Sequence, residues 1–131
     1  MSSIINIKEA LAQAQKDNSV GISIAPLSSG NEFCLFSTEM KEGHKVGCHY
    51  HKEGDEIYSI LSGEGIIYTA TVGDMGEVED ICFRPVTAGD SFTVPAGVAH
   101  QLKATSDMVL LFVCPPSHLN SDRVMMPCLT S

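Results

Sequence analysis

The chain has 131 residues, with 16 acidic against 8 basic side chains and a formal net charge of −8. That length supplies one domain with its own core, expected over residues 1–131, and falls short of two. The acidic balance removes nucleic acid and anionic membranes from the expected partners, since both need a basic patch, and leaves a small molecule.

Met1-Ser2-Ser3-Ile4-Ile5 has no basic stretch followed by an apolar core, and the longest apolar run, residues 108–114, is far below a membrane span. A cytoplasmic protein is expected. Residues 6–16 read as a helix, with Ile7, Ala10, Leu11 and Ala14 on one face and Asn6 with Glu9 as a capping pair. From residue 21 onward the pattern changes to short β-rich runs between turn residues. The expected strands are 21–25, 32–38, 45–51, 56–61, 65–71, 80–83, 91–94, 99–104 and 108–114. Turns such as Ser62-Gly63-Glu64-Gly65 and Gly89-Asp90 suit antiparallel hairpins, and the acidic stretch 73–80 reads as a solvated hairpin tip. So many short strands imply a sandwich or barrel. The tail, residues 115–131, loses the strand pattern after Pro115-Pro116; its Val124-Met125-Met126 segment is expected to pack on the barrel or on another subunit. Cys34, Cys48, Cys82, Cys114 and Cys128 show no C-x-x-C spacing and are expected to be reduced, mostly buried thiols.

His49 and His51 are two apart, so a strand would turn both to one face. With Glu56 and the distant His100 they form a set of imidazole and carboxylate donors of the kind that binds zinc, iron, nickel, manganese or copper. Four ionisable groups inside a barrel are costly to bury unless a cation neutralises them.

The markers around these residues make the pattern specific. Gly43 is followed after five residues by His49-x-His51, after four more by Glu56 and after six more by Gly63; then Gly89 is followed by Pro95-x-Gly97 and, two residues on, by His100. Four glycines and one proline match such a register by chance about once in 10⁶. The chain resembles the cupin superfamily, with a motif core over 43–104. The resemblance implies an all-β fold, an antiparallel jelly-roll β-barrel with one short N-terminal helix. It also implies that His49, His51, Glu56 and His100 hold one divalent transition metal ion.

One position departs from the family pattern: Ala104 stands where the second motif usually closes with Asn. His44 and His118 lie outside the motifs, and an exposed or partner-bonded role is expected for both. Tyr58, two residues after Glu56, is the candidate catalytic residue; Lys45, by parity with His49, is a candidate supporting one. The scarcity of basic residues disfavours a phosphosugar substrate, and the single copy of the motif pair excludes two-domain architectures. The expected function is that of a small metal-binding cupin, an enzyme of dioxygenase, isomerase or lyase type acting on a small oxygen-rich molecule. The alternative is a non-catalytic small-molecule binding or sensory module. Edge strands needing cover make a homodimer the expected assembly.

Overall fold

The structure, a computed structural model, describes residues 3–17 and 22–130. The chain begins with α1 (Ile7–Ala12), whose cap, Asn6, accepts a hydrogen bond from the Glu9 backbone N–H at 3.1 Å. The helix is shorter than the expected 6–16. None of its residues is buried, so no tertiary packing rewards extension of a marginal helix. Residues beyond it form β1 (Gln15–Asp17), which pairs antiparallel with β2 (Ile22–Ser29). Gly21, the first residue of the expected strand 21–25, lies outside the described residues.

The remaining strands are β3 (Cys34–Met40), β4 (His49–Tyr50), β5 (Glu56–Ser62), β6 (Glu64–Val72), β7 (Val78–Thr87), β8 (Ser91–Val94), β9 (Ala99–Ala104), β10 (Met108–Cys114) and β11 (Val124–Met125), with a 3₁₀ turn at Pro116–Leu119 between the last two. They form two antiparallel sheets, ordered β1-β2-β3-β10-β5-β8 and β11-β4-β9-β6-β7. This is the jelly-roll arrangement expected, with core between the sheets. The alternation that creates it is plain in β10, where Met108, Leu110, Phe112 and Cys114 are buried and the residues between are half-buried. The same period in β5 turns Glu56, Tyr58 and Ile60 inward. A carboxylate is thereby carried into the interior.

Other expected elements differ as well: β2 runs on to Ser29 and β3 is shifted to Cys34–Met40 from the expected 32–38. The strand expected over 45–51 is reduced to His49–Tyr50, with an isolated bridge from Lys45 to Lys103. The break resets the parity: Val46, Cys48, His49 and His51 are all buried. β7 runs from Val78 to Thr87, through Pro85, where the expected strand stopped at 83. It lies at the edge of its sheet, where a missing N–H is tolerated. The tail does contain a strand: β11 pairs with β4, Val124 opposite Tyr50 and Met125 opposite His49. The hairpin tip expected over 73–80 is confined to 73–77, since β7 begins at Val78, and is closed by the Gly73 N–H on the Glu77 carbonyl at 2.8 Å.

Two glycines position the site. Gly97, at φ +83°, opens the approach to β9 and donates its N–H to the His51 carbonyl at 2.7 Å, joining the two motif regions. Gly54, at φ +77°, lies so close to the tail that a Cβ there would come within 2.5 Å of Pro115 Cγ. Only glycine allows both that backbone conformation and that approach.

Candidate metal centre

His49 and His100 face each other across the β4–β9 ladder as paired residues. Their ring centroids lie 4.4 Å apart, and His51, just past the end of β4, is 5.0 Å from His49 and 5.5 Å from His100. Glu56 enters from β5 in the opposite sheet. All four are buried, and donor atoms of His49, His51 and His100 fall within 4.8 Å of one another. The three histidines singled out in the sequence therefore converge, and Glu56 joins them through His51, its Oε2 lying 2.7 Å from His51 Nε2.

Backbone carbonyls fix the state of the rings. His49 Nδ1 donates to the Gly47 carbonyl at 2.7 Å, His51 Nδ1 to that of Asp122 at 2.5 Å, and His100 Nδ1 to that of Val98 at 3.1 Å. A carbonyl oxygen only accepts, so each Nδ1 carries a proton, and the position left for a metal on each ring is Nε2. Burial, then the neighbouring His100, lowers the His49 ring to about 3, and burial lowers His100 as well. Neutral imidazole is the form that ligates a metal.

Nε2 of His51 and of His100 are buried without a hydrogen-bond partner. His51 Nε2 also lies 2.7 Å from Glu56 Oε2, an ion-pair contact. Each orphaned polar atom costs about 1–3 kcal/mol. A cation held by the Nε2 lone pairs and the carboxylate would satisfy them together, so the donor set fits a divalent transition metal.

Glu56 has a second partner that sequence reasoning placed outside the site. His118, in the 3₁₀ turn, donates from Nδ1 to Glu56 Oε2 at 2.9 Å and from Nε2 to the Glu53 carbonyl at 2.6 Å. It stacks on His51 with centroids 3.7 Å apart and planes 2° from parallel. Of the two expected roles it has the partner-bonded one, fully buried, whereas His44 is exposed. Burial works to raise the Glu56 carboxyl, but the hydrogen bond from His118 and the His51 ring outweigh it and hold the group below the usual carboxylate range. Burial opposes charge on His118 too, yet Glu56 and the Glu53 carbonyl overcome it and raise the ring. The two form a buried imidazolium–carboxylate pair.

Tyr58 shares the wall of a cavity of about 40 Å³ with His49, His51 and Glu56. That is room for a very few waters. Burial first, and then the Glu56 carboxylate, push its phenol well above 10, so it is a proton donor in neutral solution. Lys45 is not in this wall: with the parity broken at Val46, its Nζ reaches the Thr130 carbonyl at 3.3 Å, and Val46 lines the cavity instead. Leu119 and Arg123 complete the lining from the tail. Neither was visible in the motif spacing. Ala104 lies in the apolar core cluster, opposite Gly65, and the His100 ring is oriented by the Val98 carbonyl without it. The thiols are less buried than expected: all five are free, but only Cys48 and Cys114 are buried, and Cys82 and Cys128 are exposed.

The fold recurs in solved structures. An uncharacterised conserved protein with a double-stranded β-helix domain from Klebsiella pneumoniae matches with a TM-score of 0.70 at 15% identity, over 98% of this chain and all of that one, 100%. A predicted oxalate decarboxylase from Thermotoga maritima matches with a TM-score of 0.68 at 23% identity, over 86% of this chain and 98% of its own. The capsular polysaccharide assembling protein CapF from Staphylococcus aureus matches with a TM-score of 0.71 at 18% identity, over 88% of this chain but only 31% of CapF. The chain thus spans about a third of CapF, another structure of which contains the inhibitor 3-isopropenyl-tropolone. At these identities the likeness is one of fold. No curated protein sequence matches the chain. The family model for the cupin domain matches residues 36–114, more than half of the sequence and inclusive of all four converging residues, and the chain belongs to the cupin family.

Proposed function

We propose that His49, His51, His100 and Glu56 bind one divalent transition metal ion and that the chain, as a single cupin domain over residues 1–131, acts on a small oxygen-rich organic molecule. The observation that carries the reading is the pair of buried Nε2 atoms on His51 and His100 that lack a hydrogen-bond partner, each on a ring whose Nδ1 is committed to a carbonyl. When bound, such an ion supplies Lewis-acid polarisation of a substrate oxygen and, if redox-active, electron transfer. The chain supplies the rest. Three imidazoles and one carboxylate are the donors for the cation, Tyr58 offers a hydroxyl proton beside them, and Met40, Leu110 and Phe112 supply apolar wall to the cavity. Arg123 adds a cation to the lining, which favours an acidic substrate on an otherwise acidic protein.

Elemental analysis of protein purified without a metal-chelating tag tests this. About one equivalent of a transition metal per chain is expected. Metal near zero, with His49→Ala leaving the thermal midpoint unchanged in added divalent ions, overturns it.

A second reading, a non-catalytic binding or sensory module, is favoured by the small cavity of about 40 Å³. Screening dicarboxylates, keto acids, catechols and sugar acids separates the two: an enzyme gives product, a binding module only ligand-induced stabilisation. Free cysteines throughout support a reducing, cytoplasmic setting. A homodimer is supported by β7, an edge strand that exposes Ile81 and Phe83; a monomer by light scattering at micromolar concentration removes that proposal.

A further inference from the structure

Two overlapping groups of donors share His51: one is His49, His51 and His100, the other His51, Glu56 and His118. The question is whether His118 is a ligand or an organiser. Its hydrogen bonds decide. Both ring nitrogens face acceptors, Glu56 Oε2 at 2.9 Å and the Glu53 carbonyl at 2.6 Å, so both carry protons and neither has a lone pair for a metal. The residue is fully buried, and the segment that carries it is fastened at several points. Asp122 accepts the His51 Nδ1 proton on its main-chain carbonyl, and its carboxylate receives the Lys52 and Glu53 N–H groups at 2.7 and 2.9 Å. β11 then pairs with β4 beside His49.

We propose that His118 is a positioning residue for the metal site: held by the C-terminal strap, its Nδ1–H fixes the Glu56 carboxylate at the orientation in which it joins His49, His51 and His100 as fourth ligand. The proposal rests on the metal-binding reading above. It assigns the strap, 116–125, to the site although none of it lies in the two motifs. The physical logic is that of an outer hydrogen bond orienting a ligating group, where loss of the partner weakens metal binding by about 10- to 100-fold. Stacking on His51 adds a second constraint from the same side chain, since the His51 ring cannot rotate without losing contact with it.

The two nitrogens can be separated by substitution. An Asn amide nitrogen falls near the place of Nδ1 and can still donate to Glu56; a Gln amide nitrogen falls near the place of Nε2 and can still donate to Glu53; Phe keeps the stacked ring and neither donor. Co(II) is titrated into the metal-stripped full chain and each variant, with affinity and visible absorption recorded, and melts without metal check folding. Expected are an affinity loss of about 10- to 100-fold in His118→Phe and in His118→Gln, substantial recovery in His118→Asn, and a changed Co(II) spectrum wherever affinity falls. In a Glu56→Gln background, His118→Phe should have no further effect on affinity. Unchanged affinity and spectrum in Phe, or recovery in Gln but not Asn, overturns the proposal, the second by showing that His118 only anchors the strap to Glu53. Parent protein that takes up no Co(II) overturns the metal-binding reading and this inference together, whereas normal uptake with insensitive variants overturns this inference alone.

Discussion

The main-chain carbonyl of Asp122 accepts the Nδ1 proton of His51 at 2.5 Å, across 71 residues of sequence. The same residue's carboxylate gathers the Lys52 and Glu53 N–H groups. One residue of the tail thus sets the tautomer of a candidate ligand with its backbone and closes the following loop with its side chain. The two roles can be tested apart. Asp122→Ala removes two charge-assisted hydrogen bonds at a partly exposed position, so a loss of about 1 kcal/mol is expected in urea unfolding of metal-free protein. Metal affinity should fall far less than in His118→Phe, because the carbonyl remains. A larger affinity loss than in His118→Phe would mean that the loop, and not the ring, governs the site.

The stability of the metal-free protein should fall toward acid. Burial, then His100, brings the His49 ring from 6.5 to about 3, and burial lowers His100 too. The unfolded chain therefore binds protons that the folded one does not, so the contribution present above about pH 6.5 is lost as pH falls. His118 has the opposite sign. Raised above 6.5, it contributes fully below that value and loses its contribution as pH rises through its folded pKa. Glu56, depressed below 4.5, contributes above that value and loses its contribution at lower pH. Two lowered rings outweigh one raised ring between about pH 7 and pH 5. Urea unfolding across that range should show decreasing stability toward acid, with a flatter profile in His49→Gln. Stability that climbs toward acid would contradict the assignment of both rings as neutral.

These relationships differ in how far they could be read from the chain. His49, His51, Glu56 and His100 were legible because turn glycines and a proline at fixed offsets pin them to strand ends, and strands 91–94, 99–104 and 108–114 matched residue for residue, since alternation and turn residues agree there. His118, Asp122 and Arg123 were not. They reach the site by docking of a tail with no periodic pattern, and the separations involved, 62 residues for His118 to Glu56, leave no local trace. Lys45 misled for a related reason: parity holds only while a strand is continuous, and the ladder is interrupted between the Lys45 bridge and His49.

The thiols should divide sharply in reactivity. The Gln101 amide, which approaches Cys128 Sγ to 3.2 Å, together with Lys45 lowers that exposed thiol despite the opposing effect of burial. Burial, then Cys128, raises Cys48 to about 11, and burial raises Cys114. The thiolate is the reactive form. A disulfide reagent near pH 8 should label Cys128 and exposed Cys82 rapidly, leaving Cys48 and Cys114 until the protein unfolds. Peptide mapping of the labelled sites checks this, and early labelling of Cys48 would show that the tail opens readily from β4.

Tyr58 is the residue whose role the fold leaves most open to measurement. Its ring packs against Phe92 at 5.1 Å, Phe112 at 5.9 Å and His100 at 6.2 Å, so the hydroxyl can be removed without disturbing the wall. Its proton is held firmly, by burial and by the neighbouring carboxylate, which suits a donor and not a base. Tyr58→Phe should therefore alter thermal stability by no more than about 1 kcal/mol and leave Co(II) affinity unchanged, because it removes no candidate ligand. With a substrate found by screening, kcat should fall by about 10²- to 10⁴-fold if the hydroxyl passes its proton to the reacting molecule. Unchanged kcat would assign Tyr58 to the cavity wall, and weakened metal binding would instead place its hydroxyl among the groups that hold Glu56.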